Sequence, residues 1–188
     1  MILTPNNEYC VVLDACVLIP MPLCDTLLRA AEEPSLFCIA WSEHILNEVR
    51  RGLESSKFGY SAKQVDRRIR MMNAAFPEAL RTVPPGLIDG ILGLPDRDDR
   101  HVVALANHAW ANTIVTDNLR DFPAEALLPH NLTVLSADEF LVHQYHLSPQ
   151  MMLDKLDRQA AGIRKQRGDI LLLLQSSAPT FCQLCAKR

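Results

Sequence analysis

Acidic residues beside predicted buried segments are the features of this sequence that could carry chemistry. Asp14 interrupts the apolar run VVLDACVLIPM, residues 11–21, directly after a predicted strand. Taking an ionised carboxylate out of water costs free energy unless a donor, a cation or a proton compensates it. Further acids follow a predicted strand or flank a predicted helix, and these are Glu48, Asp96, Asp98, Asp99, Asp117 and Asp121.

These acids come from four separate segments that a parallel sheet would bring together. The carboxyl ends of parallel strands meet at one edge of a sheet, where binding crevices form. Carboxylates gathered there repel one another, and a hard divalent cation relieves the repulsion. Oxygen-only ligands suit Mg²⁺ or Mn²⁺, which can generate a hydroxide nucleophile and neutralise charge in phosphodiester hydrolysis. The pattern therefore predicts metal-assisted cleavage of phosphoesters.

Each acid alone also has a simpler structural explanation. Asp96 or Asp98 could cap the following helix. Asp121 could fix the turn before Pro123, and Glu48 could be a solvated helix residue. What favours a functional site is the order in which the acids occur: after a strand, within a helix, at a helix start and at a second strand end.

The elements that would position these acids alternate between strands and helices. Residues 9–13, residues 36–40 and the segments TIVT and LTVL predict strands. Helices are predicted after Pro20 and Pro22, after Ser42, after Ser61, within DRDDRHVVALANHAW and after Ser136. Parallel neighbours need crossover connections, so this alternation predicts a three-layer α/β/α fold with a mostly parallel sheet.

The pattern becomes purely helical after Ser148 and Pro149. Met152, Leu156, Ala160 and Ile163 recur at helical spacing, and DILLLLQ and the segment after Pro179 predict further helices. We therefore expect an α/β domain over residues 1–146 and a helical C-terminal extension over residues 147–188.

Bulk composition restricts the class of protein. The chain has 188 residues, 48% of them hydrophobic, and a formal net charge of −3, which disfavours coating of nucleic acid through overall positive charge. The start MILTPNNEY lacks the pattern of a secretory signal, and no apolar run is long enough to span a bilayer. A cytoplasmic protein without membrane contact, with reduced and mostly buried cysteines, is the expectation. Cys182-x-x-Cys185 is more typical of helix packing than of a metal site.

One stretch is locally basic. Arg51, Lys63, Arg67 and Arg70 lie in it with three further cations, against Glu54 and Asp66. These residues could form a phosphate track beside the acidic site, or simply a solvated helix face.

Four stretches in order resemble the PIN-domain family of metal-dependent ribonucleases, and within it the VapC-like toxins of toxin–antitoxin pairs. They are VVLDACVLIPMPLCD, WSEHILNEVRRGL, LPDRDDRHVVALA and IVTDNLRDFP, spread over most of residues 9–125. The helical tail resembles the C-terminal extension of one branch of these proteins. The resemblance implies that residues 1–146 are a PIN-like nuclease domain.

The resemblance also implies roles for single residues. Asp14 and Asp99 match the most dependable metal ligands of the family, and Glu48 matches the acid of its second motif. The expected fourth acid is Asp121, which fits a Thr-x-Asn-x-x-Asp-Phe pattern over residues 116–122, and Asp117 is the competing candidate. Asn118 would be a neutral hydrogen-bonding member of the site, with Thr116 beside it, and both would contact the substrate.

The implied activity is an Mg²⁺- or Mn²⁺-dependent endoribonuclease that cuts single-stranded RNA or tRNA and is held off by a cognate antitoxin. The family also raises the expectation of a homodimer. An alternative from another class is a catalytically weak RNA-binding or regulatory module, which applies if Asp121 cannot reach the ion.

Overall fold

A parallel five-stranded sheet forms the centre of the described part of the chain. The structure is a computed structural model, and it describes residues 9–55 and 57–187. Its strands are β1 (Cys10–Leu13), β2 (Cys38–Ser42), β3 (Leu80–Arg81), β4 (Thr113–Val115) and β5 (Thr133–Leu135). They lie in the order β3-β2-β1-β4-β5, and every neighbouring pair is parallel. All carboxyl ends therefore share one edge.

Helices connect and cover these strands. They are α1 (Ala15–Leu18), α2 (Met21–Ala31), α3 (Glu43–Glu54), α4 (Ala62–Ala75), α5 (Pro85–Asp89), α6 (Arg100–His108), α7 (Ala124–Leu127), α8 (Ala137–Leu147), α9 (Pro149–Gly162), α10 (Arg167–Leu174) and α11 (Pro179–Ala186). A 3₁₀ helix spans Leu119–Asp121 and another spans Leu128–His130.

Both faces of the sheet are buried. Successive strand residues point to opposite faces, yet Val11, Val12 and Leu13 of β1 are all fully buried. Ile114 and Val115 of β4 are fully buried as well. This pattern requires helices on both sides, so the predicted three-layer α/β/α fold is confirmed.

The predicted helix starts are confirmed where a capping signal marks them. The Ser42 side chain accepts a hydrogen bond from the backbone N of Ile45, 3.4 Å away, and so begins α3 directly at the end of β2. Ser61 and Gln64 form a reciprocal capping box at α4, as do Ser136 and Glu139 at α8.

Short elements and strand bounds differ from the sequence prediction. The second strand is Cys38–Ser42 rather than residues 36–40. Leu80–Arg81 forms a strand, and the predicted loop PPGLIDGILGLP contains α5. Elements of two to five residues are too short to show a hydrophobic period, so tertiary contacts define them.

The C-terminal helices share one core with the sheet domain. Leu153, Leu156 and Leu174 belong to the same contiguous cluster of buried residues as β1, whereas Ile163, predicted within the helix, is exposed beyond the end of α9. Polar contacts add to the packing. Lys155 Nζ donates to the carbonyl oxygen of Glu32 at 2.5 Å, at the C-terminal end of α2.

The Cys182-x-x-Cys185 pair lies in the packing of α11. Both side chains are buried, and Cys182 Sγ donates to the carbonyl oxygen of Leu171 at 3.3 Å. Burial raises the pKa of Cys182 to about 11 and that of Cys185 to about 12, so both remain neutral thiols near neutral pH.

Among the described residues, every helix is too short or too polar to cross a membrane. Residues 1–8, in which the sequence predicts no leader, lie outside the described residues.

Candidate active site

Asp14 lies at the carboxyl end of β1 and is buried by contacts from two neighbouring elements. Its backbone N donates to the carbonyl oxygen of Val115 at 3.1 Å, which ties it to β4. Its Oδ1 accepts from the backbone N of Ala15 at 2.6 Å, so Asp14 is the N-cap of α1. Its Oδ2 accepts from Thr116 Oγ1 at 2.7 Å. Only 5% of Asp14 is exposed. These donors explain how the chain keeps a carboxylate after a buried strand.

Cys16 is a further partner of Asp14, and sequence reasoning missed it. Its Sγ donates to Asp14 Oδ2 at 3.2 Å and accepts from the backbone N of Asp117 at 3.3 Å. Burial and the Asp14 charge raise the pKa of the thiol to about 12, so it keeps its proton. Cys16 therefore links the β1–α1 junction to the turn after β4.

The carboxyl group of Asp99 is influenced by several neighbouring negative charges. It precedes α6 and its side chain makes no capping hydrogen bond. Burial raises its pKa most, followed by the charges of Asp14, Asp121, Asp96 and Glu48, to about 7. The other three predicted catalytic acids, Asp14, Glu48 and Asp121, are therefore each near enough to influence Asp99.

Glu48 projects from α3 and is restrained by two basic side chains. Its Oε1 accepts from His101 Nε2 at 3.0 Å and lies 3.7 Å from Arg51 Nη2. His101 is 6% exposed and stands on α6, two residues after Asp99. Glu48 is therefore tied to the helix that follows Asp99, a pairing that no spacing in the sequence reveals.

The two candidates for the fourth acid have different surroundings. Asp121 ends the 3₁₀ helix Leu119–Asp121, and its charge contributes to the raised pKa of Asp99. Asp117 directs Oδ1 to the backbone N of Ala137, which donates to it at 3.1 Å in the first turn of α8. The next residue, Asn118, is exposed and donates its backbone N to Thr116 Oγ1 at 3.1 Å.

The donor chemistry of the site fits a hard divalent cation. Its acids supply only oxygen ligands, and the acids that add to the effect of burial on the pKa of Asp99 create a negative potential that a cation would relieve. Within residues 9–55 and 57–187, however, no group of three or more His, Cys, Asp or Glu side chains is arranged to hold an ion.

Some cations of the basic stretch contact other protein groups, and others are exposed. Arg50 pairs with Asp66, and Arg68 donates to the carbonyl oxygens of Leu18 and Ile19 at the end of α1. Four cations predicted to contact substrate are exposed: Arg51, Lys63, Arg67 and Arg70. Thr116, predicted beside them in this role, is fully buried against Asp14.

Asp99 makes the folding stability fall as pH rises when no divalent cation is bound. Its pKa increases from 3.8 to about 7 on folding, so between these values the folded state binds more protons than the unfolded state. Stability contributed by this group is therefore lost across that window as pH rises. We expect Asp99→Asn to gain in Tm relative to wild type between about pH 5 and pH 8 in EDTA. A Tm difference that does not change with pH would contradict this assignment.

The fold and the site together define the class of protein. It is a three-layer α/β/α protein with a group of acids around Asp14, at the carboxyl end of a strand in a parallel sheet. Residues 10–120 match the profile of the PIN domain, and the chain belongs to the PIN-domain family.

A partial match to a curated protein accompanies the family match. The Mycobacterium tuberculosis (strain ATCC 25618 / H37Rv) protein named "Putative ribonuclease VapC50" is 47% identical over 49 residues. The match covers 26% of this chain and 29% of that protein, so the chain spans less than a third of the relative's length there. No solved structure matches the chain significantly.

Proposed function

We propose that this protein is a metal-dependent endoribonuclease that hydrolyses RNA phosphodiester bonds. The single observation that carries the proposal is the convergence of acids on the buried end of β1, where Asp14 is 5% exposed and lies, with Asp121 and Glu48, near enough to help raise the pKa of Asp99. Those acids come from four separate segments of the chain. Their mutual repulsion disfavours the folded state, so we attribute their grouping to function. Membership of the PIN-domain family and the ribonuclease name of the relative support the same activity.

In this proposal the acids have different roles. Asp14, Asp99 and Asp121 would hold Mg²⁺ or Mn²⁺, which when bound supplies Lewis acidity and lowers the pKa of water. Glu48, restrained by His101, would accept a proton at Oε1 or Oε2. Asn118 would contact the RNA, and the exposed cations of the basic stretch would contact its phosphates.

The activity is tested by incubating purified protein with total RNA and with a tRNA pool. Discrete cleavage that requires Mg²⁺ or Mn²⁺ and stops in EDTA is the expected result. Binding of RNA without cleavage, by a folded protein that binds the metal, would instead identify a catalytically weak RNA-binding or regulatory module.

Asp117 and Asp121 lie four residues apart after β4, so substitutions at these two positions form a matched pair. We expect Asp121→Asn to lose cleavage at least about 10-fold, because it removes a proposed metal ligand. Asp117→Asn should keep cleavage and cost about 1 kcal/mol or less, because it weakens only the contact to Ala137 at α8. Cleavage rates and urea unfolding curves of both variants decide between them. The reverse result would make Asp117 the fourth acid.

We also propose that a cognate antitoxin is the partner that holds the nuclease off. A groove of about 350 Å³ between α2 and α4 supports this, and its lining is mostly apolar. Met21 and Met71 border it and are 50% and 60% exposed. An amphipathic helix of the antitoxin would bury its apolar face there. Co-expression with the product of a small adjacent reading frame should suppress cleavage, and Met71→Asp should restore it.

Three further parts of the proposal concern the state of the whole protein. They are the division into residues 1–146 and 147–188, a homodimer, and a location in the cytoplasm. Light scattering during gel filtration measures whether the protein is a homodimer.

A further inference from the structure

A cleft of about 370 Å³ opens beside Glu48, between α3 and the segment that leads into α6. This volume is in the range of sites that take a single small molecule or one unit of a polymer. Glu48 is one of its lining residues, so whatever occupies the cleft lies next to the proposed active site.

The charges that line the cleft cancel. Arg51 and Arg97 are matched by Glu48 and Asp98. A phosphate group gains little in such a setting, because each cation has an acid beside it to offset its attraction. A neutral group that can form hydrogen bonds fits this lining better than an anion does.

One side of the cleft has an aromatic platform. The His44 ring stacks on the His101 ring, with centroids 5.3 Å apart and an angle of 21° between the planes. His101 is buried and hydrogen-bonded to Glu48, so the His101 ring is fixed in position. His44 is exposed and lines the cleft, which leaves its second face open to a further flat ring.

Asn47 completes the set of contacts. It lies three residues after His44 on α3, so both side chains point to the same side of the helix. It is exposed, lines the cleft and carries both a donor and an acceptor on its amide. A stacking ring beside an amide is the combination with which proteins recognise unpaired nucleobases.

We propose that this cleft is a nucleobase subsite, in which one unpaired base of the RNA stacks on His44 and hydrogen-bonds to Asn47. The inference rests on the proposed function, because it takes RNA as the ligand. The subsite would make the enzyme select a single-stranded position next to the bond it cleaves.

Binding of short oligomers tests the subsite without relying on cleavage. The probes are a fluorescent RNA pentamer of mixed sequence and an abasic pentamer of the same length, titrated with the Asp14→Asn protein in Mg²⁺. Adding His44→Ala should weaken binding of the RNA about 5- to 150-fold, the range for loss of one stacked base. Adding His44→Phe should retain most of the affinity. The abasic pentamer should bind all of these proteins alike.

Two controls keep the test decisive. His108→Ala removes an exposed histidine at the far end of α6 and should change nothing. Wild-type protein in EDTA replaces the Asp14→Asn background if that variant unfolds. Equal losses in His44→Ala and His44→Phe, no loss in either, or a His44 effect that persists on the abasic pentamer would each overturn the subsite. Cleavage by wild type is scored separately, so an inactive protein with His44-dependent binding refutes the nuclease and leaves the subsite standing.

Discussion

Replacing Asp14 with Asn is expected to lower metal-dependent RNA cleavage at least about 100-fold, since losing even an outer-shell partner of a metal costs 10- to 100-fold. The asparagine carbonyl can still accept from Ala15 N, so the cap of α1 is kept while the negative charge is lost. Cleavage rates at several Mn²⁺ concentrations, with calorimetric titration of Mn²⁺, measure the effect.

A matched carboxylate makes that result interpretable. Asp154 is exposed on α9, and Asp154→Asn should leave the cleavage rate unchanged. Circular dichroism should show that Asp14→Asn is folded. A folded Asp14→Asn protein that cleaves RNA at the wild-type rate would remove Asp14 from the site.

Replacing Leu174 with Ala is expected to destabilise the whole protein by about 2–5 kcal/mol. Leu174 is fully buried in the core cluster that also contains β1, although it lies in the C-terminal extension. For a chain of this length the loss corresponds to a decrease in Tm of about 4–20 °C. Thermal unfolding followed at 222 nm measures it.

Leu172 is the control for this substitution because it lies two residues away on the same helix. It is 76% exposed, and Leu172→Ala should change stability by less than about 0.5 kcal/mol. Two separate unfolding transitions, of which Leu174→Ala shifts only one, would show that the extension folds independently. A single shifted transition is the expected outcome.

In the structure, the Asp14 carboxylate has hydrogen-bond donors that compensate its charge, whereas Asp99 has a raised pKa. The sequence suggests that the carboxylate after the first strand needs a compensating partner, either a hydrogen-bond donor, a cation or a proton. Three donors from the protein already hold it, namely Ala15 N, Thr116 Oγ1 and Cys16 Sγ. Asp99 makes no capping hydrogen bond and has the pKa of about 7. A bound cation would therefore relieve Asp99 most.

Local patterns of residues are enough to predict the framework of this protein. Runs of apolar residues alternate with capped amphipathic segments, and both signals depend on a few neighbouring residues. For this reason β1, β4 and β5 and the starts of α3, α4 and α8 could be predicted. The sequence also predicted Asp14 at the carboxyl edge, because it directly follows a strand of a parallel sheet.

Which side chains meet depends on the tertiary fold. Thr116 reaches Asp14 across 102 positions of sequence, and His101 reaches Glu48 across 53. Arg68 belongs by composition to the basic stretch, yet it turns inward to the carbonyl oxygens at the end of α1. Such pairings depend on the distance between helices that pack on one sheet and on which donors burial leaves within reach. Periodicity and spacing describe one segment at a time, whereas these contacts are properties of two segments together.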